Sequence, residues 1–106
     1  RRINWIIGLE YSSTAKQLRN VKTQIFEFVE SSSIFSVSKE TPIIVKIDQF
    51  SASSIDILVR CYIKTNDYND WLSAKDLLAT SIKEIVENNK AAFAFPSQSI
   101  YVEKNI

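Results

Sequence analysis

Ile55-Asp56-Ile57-Leu58-Val59-Arg60-Cys61-Tyr62-Ile63-Lys64 puts Ile55, Ile57, Val59, Cys61 and Ile63 on one side of an extended chain and Asp56, Leu58, Arg60, Tyr62 and Lys64 on the other. Successive side chains of a strand point to opposite faces, so this period of two predicts a strand with one buried face. A slip of one residue would bury Asp56, Arg60 and Lys64 together, and the register is therefore strongly specified. Just before it, Ser51-Ala52-Ser53-Ser54 is a compact run of small residues that predicts a hairpin-type turn. Ahead of that turn Ile43, Val45 and Ile47 alternate with Ile44, Lys46 and Asp48, with Pro42 opening the strand where its missing N–H costs least.

The flanking segments complete the pattern. Ile3, Trp5, Ile7, Leu9 and Tyr11 alternate with Asn4, Ile6, Gly8 and Glu10, giving a first strand that contains the only glycine. No second glycine follows to build a phosphate-binding turn, so Gly8 reads as a close packing position. Thr14 and Gln17 have capping-box spacing ahead of Leu18, Val21, Ile25, Phe28 and Val29, which recur at helical steps. The helix ends in Ser31-Ser32-Ser33, and residues 31–39 form a connecting loop with Ile34 and Phe35 turned inward. Asn66 and Asp67 cap a second helix whose apolar side is Trp71, Leu72, Leu78, Ile82, Ile85 and Val86. Asn88-Asn89-Lys90 ends it, asparagine serving in place of glycine in the left-handed conformation. Phe93 and Phe95 begin a last strand that Pro96 breaks, and Ser99-Ile100-Tyr101-Val102-Glu103 is a further short extended segment that the sheet does not require.

Strand, helix, strand, strand, helix, strand is the α+β, ferredoxin-like βαββαβ order: a four-stranded sheet with both helices on one face, plus a short C-terminal strand. Right-handed crossovers place the first and third strands together in the middle. The polar open face then carries Glu10, Lys46, Asp48, Asp56, Arg60 and Lys64, beside Asn4. At 106 residues and 45% apolar content the chain is read as a single domain, 1–106, with one core.

The chemistry offered is sparse. The 13 basic and 12 acidic residues leave a net charge of +1, which gives no basic field for nucleic acid. There is no histidine and only one cysteine, Cys61, on a buried face, so neither the usual zinc set nor a disulfide framework is available. Cross-strand ion pairing with Lys46 and Arg60 accounts for the carboxylates of Glu10, Asp48 and Asp56 without invoking catalysis. We therefore assign no enzyme activity, no cofactor and no metal from sequence. RNA-recognition modules share this topology, but Tyr62 is the only aromatic on the central open face, too few for a stacking platform. A small-ligand-sensing regulatory domain of the same fold is the alternative reading, supported by fold analogy alone. No window reaches the roughly 18–20 apolar residues of a membrane span. A strand pattern running almost from Arg1 reads as a domain cut from a longer chain, with any membrane part upstream.

Arg1-Arg2, Ile6-Ile7-Gly8-Leu9-Glu10-Tyr11, the hairpin residues Ala52-Ser53-Ser54-Ile55 with Val59-Arg60, and Phe93-Ala94-Phe95-Pro96 followed by residues 99–103 resemble the cytoplasmic C-terminal domain of the small-conductance mechanosensitive channel family. The resemblance runs from Arg1 to about Glu103. It implies that Arg1-Arg2 end a preceding β-rich domain, and that the parent subunit lies in the inner membrane with this domain in the cytoplasm. It further implies a homo-heptamer whose pore opens under bilayer tension and releases solutes on hypoosmotic shock. The cytoplasmic domains would enclose a vestibule, and Ser99, Ile100, Tyr101, Val102 and Glu103 would form the subunit interface as one strand of a basal barrel. Two departures stand out: Lys90 where relatives often have glycine, and residues 31–39, which match no family motif.

Overall fold

The computed structural model describes residues 1–95. Its elements are β1 (Arg2–Leu9), α1 (Ala15–Ser31), β2 (Phe35–Ser36), β3 (Ile44–Phe50), β4 (Ile55–Ile63) and α2 (Tyr68–Asn88). β4 is the centre of the sheet, antiparallel to β1 along one side, with Trp5 opposite Val59, and to β3 and β2 along the other. Residues 2–9 of β1 all have partners on β4, so the first strand and the long alternating strand are adjacent, as the crossover argument requires.

The alternation in β4 is fully realised: Ile55, Ile57, Val59, Cys61 and Ile63 are buried and the residues between them are half-buried. They meet Ile3 and Leu9 of β1, Val45 of β3, Leu18, Val21, Ile25 and Val29 of α1, and Ala74, Leu78, Ile82 and Val86 of α2 in one core. Both helices therefore cover one sheet face. Full burial of an aliphatic side chain is worth about 1.5–3 kcal/mol, which makes this shared face the main source of stability.

Helix α1 starts at the expected capping box. Thr14 Oγ1 accepts from Gln17 N–H at 3.1 Å, and Gln17 Oε1 accepts from Thr14 N–H at 2.8 Å. The same Gln17 donates through Nε2 to the carbonyls of Asn89 and Lys90, tying the start of α1 to the end of α2. Asp67 caps α2 by accepting from Asp70 N–H at 3.0 Å. The C-terminus of α2 differs from expectation in detail: Lys90, not an asparagine, has the positive φ of 60°. Ala91 N–H donates to Val86 and Lys90 N–H to Glu87, the paired bonds of a Schellman ending. Asn89 instead donates its side chain to Ile85 C=O and Gln24 Oε1. On α2 itself Leu72 is exposed while Ala74 is buried, because the inward stripe runs through Ala74, Leu78, Ile82 and Val86.

Two further differences lie at the sheet margins. Residues 31–39 contain β2, whose Phe35 is buried against β4 while Ile34 stays exposed. The strand expected at Phe93 is a single bridge to Leu9, flanked by Glu10 N–H to Ala92 C=O and Ala94 N–H to Gly8 C=O, both 3.0 Å. Phe95 is 79% exposed. Residues 99–103 lie outside the described residues.

Candidate functional site

The register decides what the open face can do. Asp56 lies opposite Gly8 on one side and Gln49 on the other, and Arg60 opposite Asn4 and Ile44. No opposite charge faces either residue. The ladder shifts between Ile47 and Gln49, so Asp48 is the extra residue of a bulge and Gln49 takes the place opposite Asp56 that simple alternation assigns to its neighbour. Cross-strand ion pairing, expected from composition, is thus not what holds these groups. Among the described residues the ion pair found is Lys83–Glu87 at 2.9 Å, on the outside of α2.

Hydroxyls replace the expected cations. Asp56 Oδ2 accepts from Ser51 Oγ at 2.5 Å and Oδ1 from Ser54 Oγ at 2.6 Å. These bonds, Ser51 first, hold its carboxyl below the usual aspartate range. Gln49 Nε2 donates to Ser51 Oγ, Ser51 N–H to Ser54 C=O, and the Tyr11 hydroxyl to Ser51 C=O, with the Tyr11 ring stacked on Phe50. The β3–β4 turn is therefore a closed hydrogen-bond network. Gly8 belongs to it by absence: a Cβ there would stand 3.2 Å from Ser54 Cβ, close enough that Ser54 would have to give by a few tenths of an ångström.

The other sequence candidates scatter. Arg60 Nε donates to Asn4 Oδ1 at 2.7 Å. Glu10 and Lys64 sit just beyond the ends of β1 and β4, where their backbone N–H groups bond Ala92 and Ile34, and Lys46 is exposed on β3. They do not converge on a common point. Cys61 is 1% exposed, and burial pushes its thiol up to about 11, the behaviour of a packing group. Among the described residues no group of three or more acidic, cysteine or histidine side chains is placed to hold a metal.

One cluster escaped sequence reading. Arg1 lies over the Trp71 ring at 4.6 Å and the Tyr68 ring at 5.9 Å, and Lys75 Nζ lies over Trp71 at 4.3 Å. Basic residues a turn away from an aromatic on a capped helix are the only sequence signal, and Arg1, the residue just ahead of β1, joins them only once that strand is docked. Among the described residues, open grooves include one of about 450 Å³ between Ile34, Ile63, Lys64, Asp70 and Leu77, and one of about 470 Å³ along Trp5, Ile7, Ala79 and Ile82. Neither brings together a proton donor, a base and a bound-charge site.

With no convergent chemistry on the sheet, relatedness becomes informative. A family model described as mechanosensitive ion channel MscS, C-terminal, matches residues 3–93. The chain belongs to the MscS family. An MscS family protein of Aquifex aeolicus is 38% identical over 104 residues, covering 98% of this chain and 28% of the relative. The low conductance mechanosensitive channel YnaI of Escherichia coli is 33% identical over 103 residues, covering 97% of this chain and 29% of that protein. The MscS-family chain thus spans less than a third of either relative's length.

Solved structures agree on the fold. The A320V variant of Arabidopsis thaliana MSL1 superposes with a TM-score of 0.77 at 12% identity over 91% of this chain and 35% of that one. The closed-state crystal structure of Helicobacter pylori MscS superposes with a TM-score of 0.61 at 23% identity over 92% of this chain and 36% of that one. The ferredoxin-like α+β arrangement of this MscS-family domain is shared by both. Among its described residues no helix is long and apolar enough to cross a membrane.

Proposed function

We propose that this MscS-family domain is a non-catalytic, assembly-forming part of a mechanosensitive channel subunit, lining a cytoplasmic vestibule of a channel that releases solutes on hypoosmotic shock. The observation that carries the reading is the family match over residues 3–93 in a chain whose relatives are more than three times as long. The open sheet face supports it, since Asp56 is held in a turn network, Arg60 bonds Asn4, and the remaining polar groups do not converge on a common point. On this reading the subunit self-associates, as a heptamer by family resemblance, with membrane attachment supplied by other parts of the polypeptide. Glu10, Lys46, Asp48, Asp56, Arg60 and Lys64 form a solvated wall.

Subunit contact is assigned to Ser99, Ile100, Tyr101, Val102 and Glu103. An extended segment this short cannot satisfy its own backbone, whereas a closed ring of equivalent strands satisfies every N–H and C=O and leaves no edge. The isolated domain is expected to be monomeric, because five residues per copy offset little of the entropy of association until the rest of the subunit raises the effective concentration. In the full-length channel, Ile100→Pro with Val102→Pro is expected to weaken the oligomer in detergent and reduce survival of osmotic downshock. Unchanged oligomer and unchanged survival would refute the interface.

A further inference from the structure

Helix α1 carries its charges in an order that works against it. Lys16, Arg19 and Lys22 occupy its first half and Glu27 and Glu30 its second, with no acid in the first turn and no base in the last. A helix dipole favours the reverse, as in α2, where Asp70 stands in the first turn. Proteins break such local rules mainly where a surface serves something else.

The fold gathers these basic residues. Arg19 and Lys22 stand one helical turn apart on the same face of α1, with Thr23 and Phe26 alongside. Strand β3, packed against α1, brings Val45 and Lys46 to that face, and the six residues line an open groove of about 280 Å³. Val45 is buried and gives the groove an apolar floor, while the Phe26 ring is 37% exposed. Lys22 is half-buried, so its side chain has less freedom to lose on binding than a fully solvated lysine.

No carboxylate answers these charges. Among the described residues the ion pair found is Lys83–Glu87, so Arg19, Lys22 and Lys46 are left without an acidic partner. Glu27 turns to a separate groove against α2, beside Gln24 and Glu84. Three cations, an exposed hydroxyl and an aromatic face over an apolar floor fit one ligand chemistry, phosphate groups carried on a flat ring system. The cations and Thr23 suit phosphate oxygens, and Phe26 offers a stacking surface that an inorganic anion or a sugar phosphate does not use. A groove of about 280 Å³ stands at the small end of ligand pockets, roughly 300 Å³, which suits one nucleotide and not a polymer.

We infer that this groove binds a soluble nucleoside phosphate, with Arg19, Lys22 and Lys46 on the phosphates and Phe26 against the base. The inference is independent of the assembly role proposed above, and adds a ligand to a domain whose open sheet face offers no site. A bound phosphate also relieves the repulsion between Arg19 and Lys22, so the ligand is expected to raise the stability of the domain.

Amide chemical shifts of the 106-residue chain, titrated with ADP in magnesium-free buffer, test this, with the Ile57 and Leu78 amides reporting that each variant stays folded. Saturable shifts are expected in residues 19–26 and 44–47, with ADP binding about tenfold more tightly than either pyrophosphate or adenosine, since each probe lacks the stacked base or the phosphate contacts. Arg19→Gln with Lys22→Gln should weaken ADP and pyrophosphate alike by about tenfold or more. Phe26→Leu should bring ADP down to the pyrophosphate level and leave pyrophosphate unchanged, whereas Lys83→Gln, on the outside of α2, should alter neither. Shifts spread evenly over the surface cations, or ADP affinity undiminished in Arg19→Gln with Lys22→Gln, would overturn the site. Pyrophosphate binding as tightly as ADP, or a glutamate-rich peptide holding the groove against excess ADP, would overturn the nucleoside phosphate as its ligand.

Discussion

β4 and the strand that begins at Phe93 both carry alternating apolar residues, yet one is the centre of the molecule and the other is reduced to a single bridge. β4 has partners along both sides and a helix-covered face, so each of its backbone and side-chain preferences is met at once. Phe93 has one neighbour, β1, and a proline three residues on. Alternation alone does not make a strand; two-sided pairing and burial do.

The largest expected effect sharpens that contrast. Ile57→Ala, at a position with no exposed surface, should cost about 3–4 kcal/mol in chemical denaturation, whereas Phe93→Ala, on a half-buried ring, should cost about 1–2 kcal/mol despite removing more atoms. Equal losses would mean that the last strand is as integral as β4.

A smaller effect concerns pH. Asp56 has a depressed folded-state pKa, so its contribution to stability is present above its ordinary value near 3.8 and is lost as pH falls through the lower folded value. Wild-type stability should therefore fall as the pH drops below the ordinary aspartate value and on through the lower folded one. Ser51→Ala with Ser54→Ala should flatten that fall while costing about 1–2 kcal/mol at pH 7. An acid limb of unchanged steepness would show that the hydroxyls do not hold the carboxylate.

Smallest is Lys90, which holds a left-handed conformation that favours glycine. Lys90→Gly should stabilise the domain by about 0.5–1 kcal/mol in thermal or urea unfolding, and destabilisation would show that the Lys90 side chain contributes more than its backbone strain costs.

Much of this fold was legible in sequence where one residue answers to one local requirement. Thr14 with Gln17 and Asp67 specify helix starts, and the odd positions from Ile55 to Ile63 specify a buried face, because burial and period agree. Positions answering to two requirements were harder to read. Leu72 has the hydrophobicity of a core residue but the wrong helical angle, and Ala74 the right angle with little apolar bulk. Asp48 continues the alternation of Ile44 and Lys46, but the turn bonded through Ser51 and Ser54 shifts the ladder before the strand ends. Glu10, Lys46 and Lys64 were grouped by parity, and the structure leaves them apart because their strands end or lie at an edge. The carboxylate of Asp56 was paired in sequence with cations across the sheet, whereas its partners are Ser51 and Ser54 of the adjoining turn on its own stretch of chain.

Covalent trapping tests the central claim, that the segment beyond the last bridge pairs between subunits, most directly. Cys61 is buried and its thiol is pushed up to about 11, so it will not compete for oxidant in the folded domain. Val102→Cys, placed in a full-length subunit stripped of other reactive thiols and oxidised in the membrane, is expected to give disulfide-linked dimers on a non-reducing gel, which a control cysteine at exposed Thr80 does not. Monomer alone from Val102→Cys, under oxidation that fully labels the same thiol in the unfolded subunit, would contradict it.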